Sequence, residues 1–171
     1  PGYIFRGLPP RRDRTLEGKH NMQLGTTTVD VVSDGTYMLD GGTLFGQVPK
    51  ALWEQQIKPD RKNRVRMGMN CMLIQTPTIN ILVDTGVGSK RTDKLKDSFD
   101  LNGNKLIRQL KNLGLTAREI DVVVLTHLHF DHAGGLTRVE GDHTVPSFPN
   151  ADVVVQQREW DDANANRSTM T

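Results

Sequence analysis

Three of the five histidines in this chain fall within six residues. They lie in the run Thr126-His127-Leu128-His129-Phe130-Asp131-His132-Ala133-Gly134-Gly135, directly after the apolar stretch Val122-Val123-Val124-Leu125. Imidazole nitrogen and carboxylate oxygen are donors that zinc and similar borderline metals prefer. In an extended segment His127 and His129, two residues apart, project to the same side. Asp131 and His132 are adjacent and open a new element, so they can diverge toward a second point. One short stretch can therefore serve two metal ions a few ångströms apart, as in two-metal hydrolytic centres. The plainer alternative is a set of hydrogen-bonded histidines beside a turn aspartate. It accounts poorly for four such groups packed after a buried-type strand.

The elements that must position these donors read as alternating strands and helices. Asp121 to Leu125 is the strand that delivers them. Before it, Thr116-Ala117-Arg118-Glu119 forms a capping box, and Leu106, Ile107, Leu110 and Leu113 recur at helical spacing up to a stop at Gly114. Met69 to Gln75 and Ile79 to Val83 read as strands separated by Thr76-Pro77-Thr78. The second runs into Asp84-Thr85-Gly86. A carboxylate at the end of a buried strand is costly unless hydrogen-bonded. Asp84 either accepts an N–H from a metal-bound imidazole, which would orient that ligand, or caps the turn at Gly86 and Gly88.

Nearer the N-terminus, Thr26 to Val32 and Tyr37-Met38-Leu39 read as a hairpin around Asp34-Gly35. Gly41, Gly42 and Gly46 predict a loop around Phe45. Pro49 opens a short helix with Leu52 and Trp53 as its buried face. Residues 58–66 and 139–150 are polar connectors, Val153-Val154-Val155 is a strand, and a helix begins near Arg158. Residues 1–23 carry Arg6, Arg11, Arg12 and Arg14 around Pro9 and Pro10. They read as an extended arm, either a solvated tail or a clasp on a partner or substrate, ahead of a domain over 24–171.

Composition narrows the class. The 22 basic and 20 acidic residues leave a net charge of +2, which gives no electrostatic case for nucleic acid. The single cysteine, Cys71, excludes a disulfide framework and a cysteine-based zinc site. No stretch has the roughly 20 apolar residues needed to span a bilayer, so no membrane role is expected. A cytoplasmic location is the default, with secretion left open by a start at Pro1. A hydrophobic share of 36% is low for a self-sufficient core in 171 residues.

His-x-His-x-Asp-His after an apolar strand resembles the metallo-β-lactamase superfamily of dinuclear metal hydrolases. Ile81-Leu82-Val83-Asp84-Thr85-Gly86 is similar to a further motif of that superfamily. Leu39-Asp40-Gly41-Gly42-Thr43-Leu44-Phe45-Gly46-Gln47-Val48-Pro49-Lys50, Trp53, Pro59-Asp60, Asn63-Arg64 and Met67-Gly68-Met69-Asn70-Cys71 resemble its N-acyl homoserine lactonase-like branch. So does Gln156-Gln157-Arg158-Glu159-Trp160. The matches run from about residue 24 to the last residue.

The resemblance implies an α/β fold, the αββα sandwich, of which this chain supplies mainly the N-terminal half. It also implies two zinc ions, though other divalent metals are possible. His127 and His129 would hold the first, and Asp131 and His132 the second. Further ligands would come from a complementary C-terminal segment or chain. A hydroxide shared by the metals would then open a lactone or related ester, with Asp131 passing a proton to the leaving alkoxide. Leu44 and Phe45 would lie near the mouth of the site, either lining an acyl pocket or simply packing. A homodimer is possible. Thioesterase, phosphotriesterase and nuclease chemistry share the same donors. A catalytically incomplete fragment or a metal-binding module is the alternative of another class.

Overall fold

A computed structural model describes residues 22–90 and 98–165. Its two longest strands lie between Thr27 and Gln75, and in the second of them side chains alternate between buried and exposed from Met69 to Leu73. β1 (Met22–Leu24) pairs antiparallel with β2 (Thr27–Asp40). Two short helices follow, α1 (Gly41–Phe45) and α2 (Lys50–Trp53). β3 (Arg64–Gln75) returns along β2, and β4 (Asn80–Val83) returns along β3. α3 (Leu106–Asn112) and a 3-10 turn at Ala117–Glu119 lead to β5 (Val122–Leu125), which lies parallel to β4. α4 (Phe130–Ala133) is one turn long and precedes a hairpin of β6 (Thr137–Glu140) and β7 (His143–Pro146). β8 (Asp152–Val155) then adds parallel to β5, and α5 (Gln157–Asn164) follows it.

The six-stranded sheet has the order β1-β2-β3-β4-β5-β8, antiparallel at one side and parallel at the other. One face is packed. Val32, Cys71, Leu73, Leu82, Val123 and Leu125 meet Leu106, Leu110 and Leu113 there. The other face carries a row of register neighbours, Val31, Met72, Val83, Val124 and Val154. Val31 is 70% exposed and Val154 49%. Among the described residues the contrast is between a helix-covered face and an apolar one that is partly open, with Val83 and Val124 half-buried in the middle of the row.

Cys71 lies in the packed face, and burial, helped by the charges of Asp34 and Asp84, pushes its thiol up to about 12. It is a structural thiol. No helix among the described residues is long and apolar enough to cross a membrane.

Several expected elements differ. The hairpin around Asp34-Gly35 is a single strand with a register shift between Ser33 and Gly35. Asp34 turns inward instead, and its carboxylate accepts the N–H groups of Gly88, Lys105 and Leu106. Gly35 has φ 127°, and a Cβ there would stand 1.9 Å from the Asn102 carbonyl oxygen, so the dipeptide forms a bulge rather than a turn. The glycine loop around Phe45 is the helix α1, capped by Asp40 accepting from the Thr43 N–H. In α2 only Trp53 is buried, whereas Leu52 is 60% exposed. β3 starts at Arg64, inside the expected 58–66 connector, where Arg64 pairs with Asp60 at 2.9 Å. Much of the 139–150 loop is the β6–β7 hairpin. Of the expected arm over 1–23, residues 1–21 lie outside the described residues, and Met22 and Gln23 belong to β1.

Candidate metal centre

Parallel pairing of β4 and β5 brings two chain segments out at the same sheet edge. Val83 pairs with Val124, and the next N–H, from Asp84, donates to the Val124 carbonyl at 2.9 Å. Asp84 then adopts φ 61°, a left-handed conformation that aspartate tolerates, and stays buried. Its carboxylate accepts the Thr126 N–H at 2.9 Å and the Thr126 hydroxyl at 2.9–3.0 Å. His132 Nδ1 lies 2.8 Å from Oδ2, one of the two oxygens that the Thr126 hydroxyl also approaches. The following residue clamps the backbone at the same place, because the Thr85 N–H and hydroxyl both donate to the His132 carbonyl, at 2.7 and 2.9 Å. The α4 region docks closely enough that a Cβ on Gly135 would stand 2.1 Å from the Thr85 carbonyl oxygen.

This network assigns tautomers. Thr126 gives its proton to Asp84, so its oxygen is left to accept from His127 Nδ1, 3.0 Å away. The lone pair of His127 is then on Nε2. By the same logic His132 donates from Nδ1 to Asp84 and carries its lone pair on Nε2. Desolvation first, then the neighbouring His132 and His129, hold the His127 imidazole below the ordinary histidine range, against the pull of Asp131 and Asp84. Its neutral, ligand-competent ring is favoured.

Two pairs of atoms that could ligate a metal stand close together. His127 Nε2 lies 3.1 Å from His129 Nδ1, and His132 Nε2 lies 3.4 Å from Asp131 Oδ2. Two donors on one tetrahedral zinc, at bond lengths of about 2.0–2.1 Å, stand about 3.3–3.4 Å apart. The residues therefore fit zinc in both chemistry and spacing. Among the described residues no group of three or more His, Cys, Asp or Glu side chains forms a fuller metal shell.

A family model described as the metallo-beta-lactamase superfamily matches residues 66–167. The chain belongs to that superfamily. A probable metal-dependent hydrolase from Staphylococcus aureus superimposes with a TM-score of 0.75 at 37% identity, over 84% of this chain and 52% of that one. AidC, a dizinc quorum-quenching lactonase, gives a TM-score of 0.63 at 25% identity, over 83% of this chain and 46% of that one. An N-acyl homoserine lactonase from Bacillus cereus is 27% identical over 59% of this chain and 41% of that protein. This member of the superfamily thus spans about half the length of the solved relatives it matches.

The expected site residues are not all neighbours in the metallo-β-lactamase fold. His127, His129, Asp131, His132 and Asp84 come together as described. Leu44 and Phe45 lie on α1, which packs on β2 and α2, and the Phe45 ring stacks on Trp53 at 4.7 Å. The Phe45 contact is a packing one, whereas Leu44 is 36% exposed.

Three residues at the centre had no role assigned from the sequence. Tyr37 donates its hydroxyl to Asp131 Oδ2 at 2.8 Å. Burial first, then the Asp131 carboxylate, push its phenol above the ordinary range, so the proton stays on tyrosine. Thr126 links Asp84 to His127, and only its adjacency to the histidine run could have signalled it. Glu159, on α5, accepts the N–H of Leu128 at 2.9 Å, between the two histidines of the first pair. It stood in a matching motif, Gln156 to Trp160, but nothing in the spacing tied it to Leu128.

Proposed function

We propose that this chain carries half of a dinuclear metal site in a hydrolase that opens a lactone or related ester. The observation that carries the proposal is the geometry of the two donor pairs. His127 with His129 would hold one zinc ion, and Asp131 with His132 the other. Zinc, when bound, lowers the pKa of water toward neutrality and polarises a carbonyl. The protein's own part is positional and protonic. Asp84 and Thr126 fix which nitrogens of His127 and His132 are bare. Asp131 is a carboxylate at the centre that can hold a proton and release it to a departing alkoxide. The curated and solved relatives named lactonases support the cyclic ester as substrate class.

Each pair offers two protein donors, whereas catalytic zinc sites usually keep three protein ligands. We therefore infer a complementary segment that supplies further ligands. Two observations favour it: the chain spans about half of its solved relatives, and the described residues leave an apolar sheet face partly open.

Zinc content by elemental analysis, combined with a ring-opening assay on an N-acyl homoserine lactone, tests both parts. The expected result is weak zinc uptake by this chain that falls with His127→Ala and with His132→Ala. Lactone opening is expected only when the complementary segment is supplied. Uptake that neither substitution alters would show the metal to be held elsewhere and would end the proposal.

A further inference from the structure

Tyr37 is separated from Asp131 by 94 positions in sequence, yet its hydroxyl meets Oδ2 of that carboxylate at 2.8 Å. The same oxygen lies 3.4 Å from His132 Nε2. A carboxylate oxygen has two lone-pair directions, so one can accept the phenol hydrogen bond while the other remains for the point shared with His132. The phenol has little freedom. Tyr37 is 7% exposed and packs with Met69, Val87 and Leu101. Its ring meets the edges of Phe99 and Phe130 at centroid distances of 6.3 and 5.9 Å. Phe130 immediately precedes Asp131, so one aromatic cluster holds both the donor and the backbone of its acceptor.

We propose that Tyr37 is the positioning residue for Asp131, holding Oδ2 beside His132 Nε2 in the orientation the second donor pair requires. The assignment rests on the reading of Asp131 and His132 as a donor pair. A buried tyrosine needs a hydrogen-bond partner in any case, so a purely structural contact is the alternative. The two differ in what the hydroxyl does for metal binding.

Cobalt(II) binding, followed by its visible absorption, separates them in wild type, Tyr37→Phe, Asp131→Asn and the double variant. Phenylalanine keeps the ring cluster and removes only the donor. Tyr37→Phe is expected to weaken one of the two uptake events about 10-fold, the lower end for partners that orient metal ligands. The other event should be unchanged, as should the thermal midpoint to within a few degrees. In the Asp131→Asn background the second substitution should add nothing, because the two act through one oxygen. Uptake that ignores Tyr37→Phe overturns the assignment alone, and so does an equal loss in both backgrounds. No cobalt uptake by the wild-type chain overturns the donor-pair reading and the assignment with it. A metal-free measurement guards against a folding defect. The Asp131 carboxyl carbon resonance should move on Tyr37→Phe, and an unmoved resonance also overturns the assignment.

Discussion

Asp84 shows how one buried carboxylate can order an entire centre. It receives two donors from Thr126 and faces one ring nitrogen of His132, and through Thr126 it reaches His127. Two members of different donor pairs therefore take their tautomers from a single residue. The histidine run was legible in the sequence because its donors are local, packed into six residues after an apolar strand. Asp84 was legible in part, because a carboxylate ending a buried strand must find a partner, although which partner was open. Tyr37 was not legible, since nothing in its surroundings marks a residue that the fold carries to Asp131. Asp84→Asn tests the carboxylate with little change of shape. The amide presents an N–H₂ where either Thr126 or His132 needs an acceptor, leaving a buried donor unmatched. The substitution should cost about 1–3 kcal/mol in urea unfolding and weaken zinc binding about 10–100-fold. Unfolding and binding both within error of wild type would leave Asp84 with no ordering role.

At the scale of elements, helical spacing and continuous apolar runs were read correctly where local pattern decides the outcome. α3, the capped turn at Thr116, β5 and β8 follow from periodicity and stop signals. The errors fall where tertiary contacts override a local signal. Asp34-Gly35 has the composition of a hairpin turn, but the Asp34 carboxylate is taken by N–H groups of Gly88, Lys105 and Leu106. The strand runs on through a bulge instead. The β6–β7 hairpin escaped because its residues are polar and half exposed, so no alternation marks a buried face. α5 contributes through one contact that periodicity does not reveal, Glu159 to the Leu128 N–H. That bond ties the segment between His127 and His129 to a helix. Glu159→Ala should reduce the protection of the Leu128 amide by about 1–2 kcal/mol in hydrogen exchange. Glu159→Gln, which keeps a carbonyl acceptor, should restore most of it. Protection indifferent to both changes would place the anchoring of this segment elsewhere.

For the molecule as a whole, the question is what the open sheet face does. Val31, Met72, Val83, Val124 and Val154 form one row across β2, β3, β4, β5 and β8. Continuous apolar runs in β4, β5 and β8 put apolar residues on both faces, which is the pattern of a sheet covered on both sides. The low hydrophobic share of the chain hinted that part of the covering is supplied from outside it. A large exposed apolar patch is unusual for a free-standing soluble domain. If the complementary segment inferred above covers the row, charges placed there should spare the chain and harm the assembly. Val31→Glu with Val154→Glu should shift the unfolding free energy of the isolated chain by no more than about 1 kcal/mol, because both side chains are exposed in it. The same pair should lower binding of a hydrophobic dye to the chain and abolish the lactone opening expected on adding the complementary segment. Retained complementation would mean that the segment docks away from this face, and the row would then need another occupant. Loss of the isolated chain's own fold would instead mean that the row is already covered by residues of this chain.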